Sequence, residues 1–246
     1  MIDELIKTIR YAMEDLGDED ILNYIDEHEL TAETPFDENG LNFDEMCAIE
    51  LMTAISQDLR IEIKDDVISF IAKANDDVWQ AAEVYFKEYK SADVLSKAAE
   101  EYGFVTDMGV SGIPTAFVCK WGEKGPKIGI LAEYDALDAL SQKPGVPEKC
   151  PADGRPEGFA GHGCGHNSLG AGALGASIAL KQYCEAEGID AQIYFFGCPG
   201  EENGSGKVFM ARDGLFDDMD ICLTWHPGDS NSITGDGSLA NISIKY

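Results

Sequence analysis

Residues 161–180, GHGCGHNSLGAGALGASIAL, join a glycine-rich bend to a helix of small and apolar residues. The bend holds His162, Cys164 and His166, so it contains two of the four histidines of the chain. Glycine permits tight turns, which allows Cys164 and His166 to point toward one place. The glycines and alanines of the helix favour close packing against a sheet. The stretch therefore predicts a functional bend at the start of a buried helix.

Helical and strand-like patterns alternate on either side of this stretch. Helical patterns cover residues 65–90, 91–103, 168–188 and 206–214, and apolar strand-like runs cover 115–121, 127–134, 191–197, 221–225 and 239–246. Strands that alternate with helices are typical of α/β folds. We therefore expect an α/β domain with a mostly parallel sheet flanked by helices.

Gly170, Gly172 and Gly175 match the G-x-G-x-x-G fingerprint of dinucleotide sites. That fingerprint directly follows a strand, whereas here a long loop separates the glycines from the preceding strand-like run. We therefore predict no nucleotide cofactor and assign these glycines to helix packing.

The first 65 residues differ in composition from the rest of the chain. They contain 19 acidic and 4 basic residues, and only two of the 26 glycines. Apolar residues at helical spacing predict helices, and the acids are typical of a solvated surface. We expect a small acidic all-α domain over residues 1–65, followed by the α/β domain over residues 66–246.

The charge balance argues against two classes of partner. The net charge of −28 disfavours nucleic acid and anionic membrane surfaces, both of which attract clustered lysine and arginine. No apolar run is long enough to span a bilayer, and the amino terminus lacks the pattern of a signal peptide. The seven cysteines form no C-x-x-C pair, which is typical of reduced thiols. We expect a cytoplasmic protein that binds neither nucleic acid nor membrane.

Side chains that bind metals follow three of the predicted strands. Glu133 and Asp135 follow the first, Glu201 and Glu202 the second, and His226 and Asp229 the third. Ligands of open α/β sheets collect beyond the carboxyl ends of the strands. Cysteine, histidine and glutamate together are the donors of zinc sites. With the bend around Cys164, these strand ends predict a zinc-type centre.

Each of these residues also has an ordinary explanation. An isolated His226 would usually be a hydrogen-bonded surface or core histidine, and Cys164 a buried thiol. The adjacent pair Glu201 and Glu202 would usually be a solvated turn. Only the joint occurrence of these residues at successive strand ends favours the metal centre.

Five motifs carry a resemblance to a known family. They are GIPTAFV (112–118), IGILAEYDALDALSQ (128–142), GHGCGHNSLGAGALGA (161–176), GCPGEENGSGKVFMARDGLFDD (197–218) and WHPGDSN (225–231). In this order they resemble the zinc-dependent aminoacylase and carboxypeptidase family, in its amidohydrolase branch. The resemblance implies a hydrolase that cleaves the amide bond of N-acyl amino acids, aminobenzoyl-glutamate-like compounds or dipeptides.

The resemblance also implies the metal ligands. They are Cys164, His166, Glu202 and His226, and they would hold two divalent ions. Zinc is the expected metal, with manganese and cobalt as alternatives. Glu201 matches the general base of the family.

Four further positions follow from the same motifs. Asp135 matches an aspartate that orients a ligand, and Glu133 stands where other branches have a ligating histidine. His162 matches a residue that supports a ligand or contacts substrate. Asn167 replaces the aspartate of many relatives.

The family carries a lid or dimerisation domain after a strand like residues 239–246, and then a last histidine ligand. The chain stops at Tyr246. We therefore expect an incomplete catalytic domain, either a fragment or a truncated protein, with weak or no activity and with homodimers only where the lid is present. The alternative is a non-catalytic acidic interaction protein that retains a degenerate hydrolase domain.

The acidic front of the chain resembles an acyl carrier protein in ETPFDENGLNFDEMCAIELMTAISQDLRIEI (33–63). That family carries phosphopantetheine on the serine of an Asp-Ser-Leu triplet. This chain has Asp44, Glu45 and Met46 there. Because glutamate cannot carry the prosthetic group, we predict no carrier activity.

Overall fold

The computed structural model describes residues 7, 9–11, 13, 14, 17–28 and 65–228. Two compact units are present, and the larger one contains Lys64–Pro227. No helix within these described ranges has the length and apolar character needed to cross a membrane.

The described part of the smaller unit is helical. Helix α1 spans Glu19–Glu27, and the side chain of Asp18 caps it by accepting a hydrogen bond from the backbone N–H of Ile21 at 3.0 Å. Two isoleucines form its buried face. Residues 29–64, which include the predicted third helix and Glu45, lie outside the described residues, so the acidic domain over 1–65 stays a prediction.

The described part of the larger unit alternates helices and strands. In chain order the elements are α2 (Asp65–Ala81), α3 (Tyr89–Glu101), β1 (Val105–Met108), a short 3-10 helix (Val110–Gly112), β2 (Phe117–Trp121), β3 (Lys127–Ala132), α4 (His166–Glu187), β4 (Gln192–Gly197), α5 (Glu201–Gly204), α6 (Gly206–Arg212) and β5 (Ile221–Leu223). The α/β class predicted from the sequence is confirmed. The last predicted strand, 239–246, lies outside the described residues.

The five strands form one mixed sheet in the order β1-β2-β4-β3-β5. β3 is parallel to both β4 and β5, whereas β2 is antiparallel to both β1 and β4. The sequence predicted a mostly parallel sheet. The antiparallel pairing of β1 with β2 has a simple cause: residues 109–116 alone join them, and a parallel pair requires a crossover of a dozen or more residues.

Each face of the sheet has its own apolar layer, because neighbouring residues of a strand point to opposite faces. Val118 and Phe196 pack on one face in a cluster with Met210 of α6. Phe117 and Phe195 point the other way, with ring centroids 5.6 Å apart. β3 and β4 are parallel neighbours, so their carboxyl ends lie side by side. The site residues of both strands follow these ends.

Helix α4 lies very close to the residues that follow β3. A Cβ atom added to Gly170 would lie 2.7 Å from the backbone oxygen of Glu133, which is closer than real Cβ atoms come. A Cβ atom added to Gly175 would instead meet the tip of the Ile71 side chain at 2.6 Å. The first contact involves backbone that cannot rotate away, and the second involves a flexible side chain.

We predict that Gly170→Ala lowers the free energy of unfolding by about 1–3 kcal/mol, because the new methyl group must push α4 away from the carbonyl of Glu133. Gly175→Ala is the matched control in the same helix, since Ile71 can move and alanine favours the helix by up to about 1 kcal/mol. Urea unfolding followed by circular dichroism measures both. Equal stabilities for the two variants would contradict the close approach at Gly170.

Candidate metal centre

The chain leaves β3 through Glu133, Tyr134 and Asp135. Tyr134 is fully buried, and its hydroxyl donates a hydrogen bond to the backbone oxygen of Thr115 at 2.7 Å. This bond fixes the middle residue, so the two carboxylates beside it are held in place. The exposed fractions of Glu133 and Asp135 are only 5% and 1%.

Asp135 connects the end of β3 to two other elements. Its Oδ1 lies 2.9 Å from Nδ1 of His166, the first residue of α4. Its Oδ2 accepts a hydrogen bond from the backbone N–H of Glu202 at 3.0 Å. Because a carboxylate only accepts, Nδ1 of His166 carries a proton and Nε2 is the nitrogen that faces the site.

His166 is fully buried within a ring of negative charge. Burial opposes its positive charge, but the hydrogen bond and charge of Asp135, with the charges of Glu202 and Glu201, raise its pKa above the ordinary value. The imidazole therefore lies in a region that favours positive charge.

Cys164 and His226 form the outer side of the cluster. The Sγ atom of Cys164 lies 3.3 Å from Nε2 of His226, whose Nδ1 lies 2.8 Å from the backbone oxygen of Pro227. The potential donor atoms of Cys164, His166 and His226 all lie within 4.8 Å of one another. Burial, with the nearby Glu202, raises the pKa of the Cys164 thiol to about 11, so the thiol stays protonated until a cation binds.

The two glutamates after β4 approach the same histidine. Gly200 adopts a left-handed conformation, with φ of 65°, and turns the chain into α5. Oε1 of Glu202 lies 3.9 Å from Nε2 of His166. Glu133, His166 and Glu201 form a second group of potential donor atoms within 4.8 Å of one another. Burial raises the pKa of Glu201 above its ordinary value.

Unpartnered atoms show that this cluster fits a metal ion. Among the described residues, five buried side-chain polar atoms have no hydrogen-bond partner, and three of them belong to the cluster: Oε2 of Glu133, Nε2 of His166 and Oε1 of Glu202. Buried polar atoms without partners are costly unless something binds them. Thiolate, imidazole and carboxylate donors are those that zinc and similar divalent ions prefer.

The structure brings together the six residues that the family resemblance assigned as metal ligands, general base or ligand-orienting aspartate. They are Asp135, Cys164, His166, Glu201, Glu202 and His226. Asp229, which was also noted after the third strand, lies outside the described residues.

His162 and Asn167 face α2. His162 Nε2 lies 3.1 Å from the backbone oxygen of Val78, and burial lowers the pKa of His162 to about 4. The side-chain amide of Asn167 donates to Oδ1 of Asn75 at 2.8 Å. Both residues therefore anchor the glycine-rich bend to α2. This contact agrees with the prediction that His162 supports a ligand.

A narrow neck closes the loop between β3 and α4. The backbone N–H of Leu137 donates to the oxygen of Gly161 at 3.0 Å, and the N–H of Gly161 donates to the oxygen of Leu137 at 3.0 Å. A Cβ atom on Gly161 would lie 2.3 Å from the backbone oxygen of Leu140, so the neck requires glycine there. The neck brings the metal-binding bend back beside Asp135.

Sequence reasoning missed two charged residues that support the site. Glu88 is fully buried and accepts hydrogen bonds from the N–H of Gly200 at 3.0 Å and from the hydroxyl of Thr115 at 3.0 Å. Lys207 of α6 pairs with Oε1 of Glu133, and burial lowers the pKa of Lys207 to about 8. Glu88 lies outside the five motifs, and Lys207 lies inside the motif of residues 197–218 but carries no metal-binding side chain.

The chain is similar to proteins whose names identify them as a hydrolase and a dipeptidase. No family model matches the chain. Over 171 residues the chain is 45% identical to one of the subunits of p-aminobenzoyl-glutamate hydrolase of Escherichia coli (strain K12), and the match covers 70% of this chain and 35% of that protein. Xaa-Arg dipeptidase of Mus musculus is 26% identical over 182 residues, which cover 69% of this chain and 38% of the relative.

A solved structure has a similar fold. It is a dinuclear metal-binding peptidase of the M20 family from Bacillus subtilis, with a TM-score of 0.51 and 21% identity, over 65% of this chain and 43% of that one. The chain spans little more than a third of the length of the curated relatives named above. The chain is therefore similar to members of the zinc-dependent aminoacylase and carboxypeptidase family, as the motifs predicted.

The buried Glu88 predicts a pH-dependent loss of stability. Desolvation raises its pKa from the ordinary 4.5 to about 7. The folded protein then binds the proton more tightly than the unfolded chain, so stability falls as the pH rises from 4.5 to 7, by roughly 3 kcal/mol. Glu88→Gln removes this charge while its amide oxygen can still accept the backbone hydrogen bonds.

We therefore expect Glu88→Gln to gain stability relative to the unchanged protein as the pH rises through this window. The measurement is urea unfolding of both proteins at several pH values, with a chelator present so that metal binding does not contribute. If the free energies of unfolding of the two proteins change with pH in parallel, burial does not raise the pKa of Glu88.

Proposed function

We propose that this chain contributes the metal centre of a hydrolase that cleaves the amide bond between an acyl group and an amino acid. The observation that supports it best is the buried cluster around His166, in which three polar atoms face one another without hydrogen-bond partners. Similarity to p-aminobenzoyl-glutamate hydrolase and Xaa-Arg dipeptidase supports the same reaction.

In this proposal Cys164, His166, Glu202 and His226 hold two divalent ions, zinc first and manganese or cobalt otherwise. When bound, such ions polarise the scissile carbonyl and lower the pKa of a bound water toward about 7. Asp135 keeps the proton of His166 on Nδ1, which leaves Nε2 free as a donor to the metal.

Glu201 is the proposed general base. It takes a proton from the attacking water at its carboxylate and delivers it to the leaving nitrogen. Its burial favours this role, because a carboxylate with a raised pKa holds the proton between the two transfers. The N–H of Gly200, held by Glu88, fixes the turn that carries it.

The substrate class is proposed from the relatives. p-Aminobenzoyl-glutamate and Xaa-Arg dipeptides both contain an amide that joins an acyl group to an amino acid. We propose a small N-acyl amino acid or dipeptide of this kind as the substrate. The proposal also includes a cytoplasmic location, a domain division at residue 65, and homodimers only where the lid domain is present.

Asp135→Asn tests how the ligand histidine is oriented. The asparagine amide group would face either Nδ1–H of His166 or the N–H of Glu202, and in both cases two donors meet. We expect zinc affinity to fall by roughly 10–100-fold, measured by competition with a chromophoric chelator. Asp138→Asn, an exposed aspartate three residues away, is the matched control. Unchanged affinity in Asp135→Asn would contradict the orienting role.

Turnover tests the reaction itself. The metal-stripped chain is supplied with zinc, manganese or cobalt and offered p-aminobenzoyl-glutamate, an N-acyl amino acid and a dipeptide. We expect slow hydrolysis that requires metal and that falls by about 100-fold or more in Glu201→Gln, since general bases contribute about 10²–10⁴-fold. Glu201→Gln should still bind metal.

Glu187→Gln, at an exposed position on α4, is the control for this assay. The same assay is made on a version extended through the lid domain and last histidine of the family. If that version also binds metal but hydrolyses none of the three substrates, the alternative of a non-catalytic interaction protein is favoured.

A further inference from the structure

We propose that Glu133 is an additional metal ligand of this site and that Lys207 positions it. The inference rests on the proposed metal centre and adds to it a donor and its orienting cation. Glu133 follows β3 directly, and only 5% of the residue is exposed.

The two oxygens of Glu133 have different surroundings. Oε1 pairs with the ammonium group of Lys207. Oε2 is buried, has no hydrogen-bond partner, and lies 3.0 Å from Nε2 of His166. An ion pair with Lys207 alone accounts for one oxygen and leaves the other buried and unpaired, which is costly for a carboxylate.

The contact between Glu133 and His166 is explained by a cation. Asp135 accepts the proton of Nδ1, so in the neutral ring Nε2 and Oε2 of Glu133 are two lone-pair atoms that face each other. Neither atom has a hydrogen-bond partner, although the two lie 3.0 Å apart. Two donors each about 2.0–2.2 Å from one ion lie roughly 3 Å or slightly more apart.

The same group includes the proposed general base. Donor atoms of Glu133, His166 and Glu201 lie within 4.8 Å of one another, and His166 also belongs to the group with Cys164 and His226. The cluster therefore has two sides, and Nε2 of His166 lies within reach of both. Glu133 supplies a carboxylate on the side that lacks the thiolate.

Lys207 gives this carboxylate its direction. Its side chain is about a quarter exposed and comes from α6, an element separate from β3 and α4. By holding Oε1, it leaves Oε2 as the oxygen available to the ion, and it balances one negative charge in a site that contains four carboxylates. Lys207 is thus a positioning residue that does not itself bind the metal.

The test is the number of zinc ions bound per chain, measured by elemental analysis after dialysis against buffered free zinc. We expect the unchanged protein to hold two ions, Glu133→Gln to hold one, and Lys207→Met to hold the second ion about 10–100-fold more weakly. Glu187→Gln, an exposed glutamate of α4, should match the unchanged protein.

Cobalt absorption supplies a readout that a structural role would not change. In Glu133→Gln the thiolate band from Cys164 should remain, whereas the visible bands of the second ion should disappear. Unfolding without metal checks that the variant folds. If Glu133→Gln does not fold, Glu133→Asp withdraws the oxygen by one methylene group, keeps the charge, and should also lose the second ion.

The outcomes separate the two proposals. If the unchanged protein binds no metal, both the metal centre and this inference are wrong. If the unchanged protein binds two ions and Glu133→Gln binds them equally well, with unaltered cobalt spectra, only the role of Glu133 is overturned and the ion pair with Lys207 is structural.

Discussion

The carboxylate of Asp135 is the contact on which the site depends. Through Oδ1 it holds the histidine that begins α4, and through Oδ2 it holds the backbone at the start of α5. It therefore joins the ends of two neighbouring parallel strands to the bend that carries Cys164. It is almost fully buried, so solvent does not compete for these hydrogen bonds.

Charge is the second constraint on this region. Glu88, Glu133 and Asp135 are all buried in a protein of net charge −28, and each is held by donors from distant parts of the chain. Glu88 uses backbone and hydroxyl donors, and Glu133 uses an ammonium group. The unpartnered oxygens of Glu133 and Glu202 face His166, and a bound cation would give both of them a partner.

Much of this arrangement follows from local sequence patterns. The alternation of helical and apolar runs predicts the α/β class, and the rule that ligands collect at strand ends brings Asp135 and Glu202 together. The mixed sheet was not predicted, since periodicity identifies strands but not their direction. Glu88 was missed because its partner Gly200 lies 112 residues away. The sequence around Glu88 and the sequence around Gly200 contain no pattern that would predict such a long-range hydrogen bond.

The neck between Leu137 and Gly161 separates the loop of residues 138–160 from the residues that form the site. Two reciprocal hydrogen bonds between Leu137 and Gly161 close the base of this loop. Residues 138–160 can therefore lengthen, shorten or change sequence while Leu137 and Gly161 keep their positions. Lengthening a closed loop costs little free energy, whereas a shift of about 1 Å in a reacting group is severe. Residues 138–160 can therefore differ in length and sequence without moving the metal-binding bend away from Asp135.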